Sequence, residues 1–309
     1  MFHAYITHSD CLKHEMGPHH PECPERLSAI QDRLRASGVL DLMRMYDAPL
    51  ATVEQLSRAH DKTYIERLHA SAPREGYVAL DPDTMMNAHT WNAALRAAGA
   101  VVLATDLVMT RQAATAFCNV RPPGHHAEHA SAMGFCFINN VAVGIRHAIH
   151  AHSARRVALI DFDVHHGNGS EDIFADDTHV LMCSTFERNL YPYSGDIPRG
   201  ANMINIPLPA YSHGTEFRAA VQMHWLAALD AFQPEVLFIS AGFDAHREDM
   251  LAHLKLVEAD YQWVTRELVS VAERHALGRI VSVLEGGYAL SALGRSAAVH
   301  VKELVCAST

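Results

Sequence analysis

Asp161, Asp163 and His165 stand at every second position, directly after the apolar run Val157-Ala158-Leu159-Ile160. A run of that kind predicts a parallel strand buried on both faces. If the chain stays extended past Ile160, the three side chains point to one face. Two carboxylates and an imidazole gathered at a buried strand end repel one another and lose their solvation. A divalent cation removes that cost, and oxygen and nitrogen donors of this type suit zinc or iron(II). The competing reading is a polar strand end whose Asp residues cap the helix that follows.

The elements that would position such a centre follow from the pattern of apolar runs. Strands are predicted at Phe2–Thr7, Ala116–Val120, Arg156–Ile160, Val180–Ser184, Met203–Leu208, Val236–Ser240 and Ile280–Leu284. Helices are predicted from Leu27 to Gly38, from a Thr52-x-x-Gln55 capping box toward Leu68, and over Trp91–Met109. Further helices are predicted at Asn139–His152, Glu216–Phe232, Val257–Ala276 and Leu290–Val305. The segment His8–Glu25 and residues 71–87, rich in Pro, Gly and acid, read as long loops. This alternation predicts one α/β domain over 1–309, a mostly parallel sheet with helices on both faces. In such folds ligands bind beyond the carboxyl ends of the strands. Each strand end here is followed by reactive or aromatic residues: Arg121 to His126, Leu190-Tyr191-Pro192, Ala241 to Asp244, and Glu285 to Tyr288.

Composition narrows the function classes. A formal charge of −10 argues against a surface built for nucleic acid phosphates. The six cysteines form no C-x-x-C pair, which disfavours a zinc finger or a disulfide scaffold and fits a reducing compartment. No N-terminal run reads as a signal peptide and no apolar run reads as a membrane span, so a cytoplasmic enzyme is expected. Cys11, Cys23 and the N-terminal histidines are read as structural.

Six segments, spread in order over nearly the whole chain, resemble the zinc-dependent histone deacetylase family, especially its bacterial and class II members. They are His20 to Arg26 (HPECPER), Arg121 to Glu128 (RPPGHHAE), Gly134 to Asn140 (GFCFINN), Asp161 to Gly169 (DFDVHHGNG), Ser240 to Asp244 (SAGFD) and Leu284 to Tyr288 (LEGGY). The resemblance implies the arginase–deacetylase fold and an amidohydrolase acting on acetylated lysine. It implies Asp163, His165 and Asp244 as zinc ligands, with an open coordination position for catalysis. It implies His125 and His126 as the proton-handling pair, oriented by Asp161 and Asn168, and Tyr288 as donor to the developing oxyanion. Gly134, Phe135 and Tyr191 would line a narrow tunnel for the acyl-lysine stem, with Arg26 behind the metal. Asp161, with the backbone of Ser184 and Thr185, matches a structural potassium site. Asp83 fits by spacing the rim residue that grips substrate, and equally an ordinary turn residue.

Two departures are visible. Asn168 stands where class I members carry Asp, leaving His126 without an anionic partner at that position. The tunnel walls are Phe and Tyr in place of two Phe. The rival substrate class is acetylated polyamine, whose hydrolases place an acid at the tunnel mouth. Here the corresponding position is Leu251, which favours an acetylated lysine peptide or protein. A binuclear manganese ureohydrolase would need an acid at Gly167, and an inactive acyl-lysine reader would lack a ligand, a tandem His or the Tyr.

Overall fold

The seven apolar runs become strands in the computed structural model, which describes residues 1–306. In chain order the strands are β1 (Phe2–Thr7), β2 (Met43–Asp47), β3 (Val78–Asp81), β4 (Thr84–Met86), β5 (Ala113–Cys118), β6 (Val157–Asp161), β7 (Val180–Glu187), β8 (Met203–Leu208), β9 (Val236–Ala241) and β10 (Ile280–Leu284). Eight of them form one sheet in the order β2-β1-β5-β10-β9-β6-β7-β8, with every neighbouring pair parallel. Every residue of β6, β9 and β10 is buried, as their mainly apolar sequences require. Each fully buried Val, Leu or Ile there contributes about 1.5–3 kcal/mol.

The helices are α1 (Glu25–Ala36), α2 (Val53–Leu56), α3 (Lys62–Ala70), α4 (Thr90–Met109), α5 (Asn140–His152), α6 (Asn168–Phe174), α7 (Gly214–Ala220), α8 (Ala227–Phe232), α9 (Glu258–His275) and α10 (Leu290–Cys306). Helices α4 and α5 pack together and reach the central strands, while α1, α9 and α10 form a separate packed group. A π-helical stretch, Val221–Leu226, joins α7 to α8, so the single helix expected there is continuous but locally widened.

Four expectations need correcting. β2 was not foreseen: it lies at the sheet edge with only Met43 buried, and its Met-Arg-Met-Tyr-Asp sequence has no apolar run. Residues 71–87 are not all loop, because β3 and β4 pair as an antiparallel hairpin. The stretch opened by the Thr52 capping box breaks after Leu56, and Asp61 starts α3 afresh by accepting the Tyr64 amide at 3.0 Å. Helix α4 is 20 residues long and holds an 18-residue window of mean hydropathy 1.3, long and apolar enough to span a membrane, contrary to the sequence reading. Most of its residues are buried against α5, β1, β5 and β10, which makes it a core helix.

The segment between β1 and α1 carries one short 3-10 helix, Ser9–Leu12, and is otherwise held by charge. Glu22, fully buried, meets Arg26 Nη1 at 2.9 Å and the guanidinium of Arg121, and His14 Nε2 lies 3.5 Å away. Arg121 also donates to the carbonyls of Cys11 and His14 at 2.8 and 3.0 Å. Burial alone would raise the Glu22 pKa, but Arg121, His14 and Arg26 hold it well below the usual 4.5. Glu22→Gln leaves two buried guanidinium groups short of a counter-charge and is expected to cost about 3–5 kcal/mol. The lowered pKa also fixes the pH dependence. The Glu22 contribution is fully present above about pH 4.5, and it disappears as pH falls toward the folded-state value. Melting temperatures of both proteins across pH 3–7 check this: the gap should be widest at neutral pH and narrow progressively below about pH 4.5.

Candidate active site

Parallel alignment puts the carboxyl ends of β5, β6, β7, β9 and β10 at one edge of the sheet, and each delivers a functional group there. Strand β6 stops at Asp161, so the Asp161-Asp163-His165 series is not an extended strand as expected. The Asp163 amide donates to Asp161 Oδ1 at 3.1 Å and the His165 amide to Asp163 Oδ1 at 2.9 Å. Each Asp side chain thus takes over a backbone partner two residues on and turns the chain. The turn separates the three groups. Asp163 and His165 face Asp244 from the β9 end, whereas Asp161 faces the loop after β5.

His165 Nδ1 lies 3.0 Å from Asp163 Oδ1 and 3.2 Å from Asp244 Oδ2. Donor atoms of the three residues lie within 4.8 Å of one another, and all three side chains are buried. Burial and the Asp163 carboxylate push Asp244 up to about 7, while burial of His165 is outweighed by Asp163 and Asp244, which raise it to about 10. Asp244 Oδ2, although buried, accepts no well-aligned hydrogen bond, its contact at 3.2 Å with His165 Nδ1 being an ion pair. A buried dicarboxylate–imidazole group whose donor atoms converge is a donor set that fits zinc or iron(II). Gly286 makes the close approach possible: a Cβ there would lie 2.0 Å from Asp244 Oδ2 and 2.6 Å from Asp163 Oδ2.

One other group among the described residues has metal-like composition, Asp106 with His147 and His152. Both Nε2 atoms lie within 2.8 Å of Asp106 Oδ1, and Arg58 Nη1 is 3.1 Å from His147 Nδ1. Arginine can only donate, so Nδ1 accepts and the Nε2 proton points at Asp106. This is a hydrogen-bonded triad in which both nitrogens of His147 and the Nε2 of His152 already have partners.

The tandem histidines stand beside the metal-type group. His125 Nδ1 is 3.0 Å from Asp161 Oδ2, and its Nε2 is 3.8 Å from Asp163 Oδ1. Burial lowers the affinity of His125 for a proton, but Asp163 and Asp161 outweigh it and raise the pKa well above 6.5. For His126, burial, His125 and His165 all act in the lowering direction and hold it well below 6.5. Its Nδ1 is 2.7 Å from Asn168 Oδ1, so Asn168 is the oriented partner that the sequence suggested. The backbone of this pair is clamped by Glu285, whose Oε2 accepts the amides of Gly124 and His125 at 2.7 and 3.1 Å.

Phe135 and Tyr288 meet edge to face at 5.9 Å between ring centroids, and Tyr191 meets His126 at 5.3 Å. Gly134 has φ +57° and lies against both His126 and Tyr191; any Cβ would come within 2.5 Å of the imidazole. Arg26 is buried behind this wall, its guanidinium carbon 5.0 Å from the centre of the Tyr288 ring and its Nε donating to Gly287 O at 2.7 Å. It backs the tyrosine and is remote from any open surface. Burial pushes the Tyr288 phenol well above 10, reinforced by Asp244 and Asp163 and opposed by Arg26, so the hydroxyl keeps its proton.

The contacts of Asp83 are those of the turn reading. It sits at the turn between β3 and β4, accepting from Thr84 Oγ1 at 3.0 Å, and the Gly134 amide donates to it. Burial, helped by Asp81, raises it to about 6. Leu251 is 37% exposed, so it is not core. Asp249 Oδ1 accepts the Leu251 amide at 3.1 Å while Oδ2 accepts the amides of Tyr288 and Ala289 at 2.7 and 3.1 Å. One buried carboxylate therefore ties Leu251 to the tyrosine loop.

The sequence reading missed Asp249 and Glu285 as positioning groups. For Glu285 the signal was present: an acid closing a fully apolar strand needs partners. Asp249 lies in the polar run His246 to Asp249, where nothing distinguishes it from a solvated residue.

Comparison with known proteins agrees with this geometry. The family model described as Histone deacetylase domain matches residues 20–304. A probable deacetylase from Archaeoglobus fulgidus is 34% identical over 94% of this chain and 82% of its own length. A histone deacetylase-like amidohydrolase from Pseudomonas aeruginosa is 36% identical over 92% and 81%. Among solved structures, the crystal structure of the HDA15 HD domain superposes with a TM-score of 0.92 at 31% identity, covering 99% of this chain and 88% of that one.

Proposed function

Since the chain belongs to the histone deacetylase family, and so to hydrolases of acetylated amides, we propose that it is a zinc-dependent amidohydrolase releasing acetate from acetylated lysine side chains. One observation carries the reading: Asp163, His165 and Asp244 converge with a buried carboxylate oxygen that accepts no hydrogen bond, and two histidines of opposite proton affinity stand beside them.

Asp163, His165 and Asp244 would hold zinc, or iron(II). When bound, the ion supplies Lewis-acid polarisation of the amide carbonyl and lowers the pKa of water. The protein supplies everything else. Phe135, Gly134 and Tyr191 take the neutral acyl-lysine stem, whose charge the acetyl group has removed. The Tyr288 hydroxyl donates to the carbonyl oxygen as negative charge develops there. His126 donates at Nδ1 to Asn168 and thereby keeps a lone pair on Nε2, which takes the proton of the attacking water. His125, raised by Asp163 and Asp161, holds positive charge beside it. Water's hydroxide joins the acyl carbon, the C–N bond breaks, and the proton leaves on the lysine amine. A potassium ion at Asp161 and the Ser184–Thr185 backbone belongs to the same proposal. Its support is Ser184 Oγ, buried without a partner next to Asp161 in the β6–β7 register.

A second substrate class, acetylated polyamine, is favoured by one feature, the Asp81 and Asp83 carboxylates beside Gly134. Leu251 favours lysine, because an apolar residue tied to the tyrosine loop gives a cation no counter-charge. Measuring kcat/KM on acyl-lysine peptides and acetylated polyamines tests the choice, and a Leu251→Glu variant sharpens it. A carboxylate there should attract a secondary ammonium by a net ~1–2 kcal/mol after screening, a tenfold to thirtyfold shift of relative kcat/KM toward polyamine. An unchanged ratio in a variant with an unaltered melting temperature would remove Leu251 from the specificity argument.

A further inference from the structure

We infer that Glu128 positions His126 for catalysis through the amide of Asn168, so that a carboxylate acts on the histidine at one remove. The inference rests on the amidohydrolase reading for its kinetic consequence. Its geometric basis is independent of that reading.

Asn168 Oδ1 lies 2.7 Å from His126 Nδ1, and Asn168 Nδ2 donates to Glu128 Oε1 at 3.0 Å. An ionised carboxylate can only accept, so the amide must turn its NH2 toward Glu128. The amide oxygen is then forced toward His126, and an oxygen requires a donor opposite it. His126 must therefore carry its proton on Nδ1 and present a lone pair at Nε2. Asn168 Nδ2 also lies 3.5 Å from His126 O and 3.2 Å from Met133 Sδ, two weak acceptors, so Glu128 supplies the one charged acceptor that fixes the amide's direction.

Glu128 is held as a positioning residue would be. Its amide donates to Ser131 O at 3.0 Å, and Ser131 Oγ donates to Oε2 at 3.1 Å. Its carbonyl faces His60 Nδ1 at 2.9 Å, and His60 Nε2 accepts the Asn139 amide at 2.9 Å. His60 must then donate from Nδ1, and burial keeps it neutral by lowering its pKa to about 4. Both ends of Glu128 are pinned, leaving Oε1 for Asn168. The anionic partner that Asn168 denies His126 is thus retained one residue further away. Positive charge arising on His126 during proton transfer is met by the polarised amide and the carboxylate behind it.

A reciprocal exchange tests this. Glu128→Ala should lower kcat by about tenfold to a hundredfold, the usual loss for a partner behind a catalytic group, with KM changed less than twofold. Glu128→Gln, which keeps an acceptor oxygen, should recover part of the loss. Asn168→Asp alone sets two carboxylates face to face and should be slow. Asn168→Asp combined with Glu128→Gln should recover most of the activity, since the charge is kept and merely moved. Nitrogen-15 imidazole spectra, with the His126 signal assigned by a His126→Ala control, read the tautomer directly. The expected result is Nδ1–H in the wild type and loss of that preference in Glu128→Ala. An unchanged tautomer in Glu128→Ala, or no recovery in the double variant, would overturn the relay. If the tautomer responds to Glu128 while no variant, wild type included, hydrolyses acetyl-lysine, the amidohydrolase reading fails and the relay stands.

Discussion

Tyr288→Phe lowers kcat for acetyl-lysine hydrolysis by about 10²–10³, the effect of deleting one preorganised oxyanion donor. The size follows from how narrowly the change acts. The phenol is held protonated by burial and by the carboxylates of Asp244 and Asp163, so the wild-type hydroxyl is a full donor at neutral pH. Phe retains the edge-to-face contact with Phe135 and the stacking surface over Arg26. The loop itself is fixed through backbone amides by Asp249, which does not depend on the hydroxyl. KM, melting temperature and metal content should therefore stay near wild type while kcat falls. Steady-state kinetics together with a thermal melt check the prediction. A variant that keeps kcat within threefold would show that Tyr288 does not touch the reacting carbonyl.

Withdrawing the metal should have the larger effect. The two carboxylates and one imidazole are buried, and without a cation they can coexist only by retaining protons, which is what the raised values of Asp244 and His165 express. A chelated protein should fold, since this cluster is a small part of the core, but it should lose turnover. Lewis-acid stabilisation of several kcal/mol corresponds to a loss of roughly 10³-fold or more. With one imidazole and no thiolate in the set, cobalt or iron(II) should restore activity alongside zinc.

Much of this arrangement was legible in the sequence because it rests on local chemistry. Unbroken apolar runs such as Val157 to Ile160 mark the buried parallel strands, and reactive residues at their carboxyl ends mark the edge where a site must lie. What escaped depends on side chains that act at a distance. The β3–β4 hairpin is closed by Asp81, whose carboxylate accepts the Asp83 amide at 2.8 Å, within a segment whose composition reads as loop. β2 is an edge strand with no apolar signature. The expected one-face alignment of Asp161, Asp163 and His165 failed because the Asp side chains capture backbone amides and turn the chain. Helix α4 shows the opposite case: its sequence meets the requirements of a membrane span, and only its neighbours reveal it as core. Glu128 lies in the segment that signalled the family, yet its link to His126 runs through Asn168, forty residues away in the chain.

The most direct measurement is the rate of acetate release from an acetyl-lysine peptide by wild-type protein, before and after dialysis against a chelator and again after stoichiometric zinc is returned. The account predicts loss of turnover by roughly 10³-fold or more on dialysis, with an unchanged fold by circular dichroism, and recovery at about one zinc per chain. Undiminished acetate release from protein shown by elemental analysis to be metal-free would contradict it.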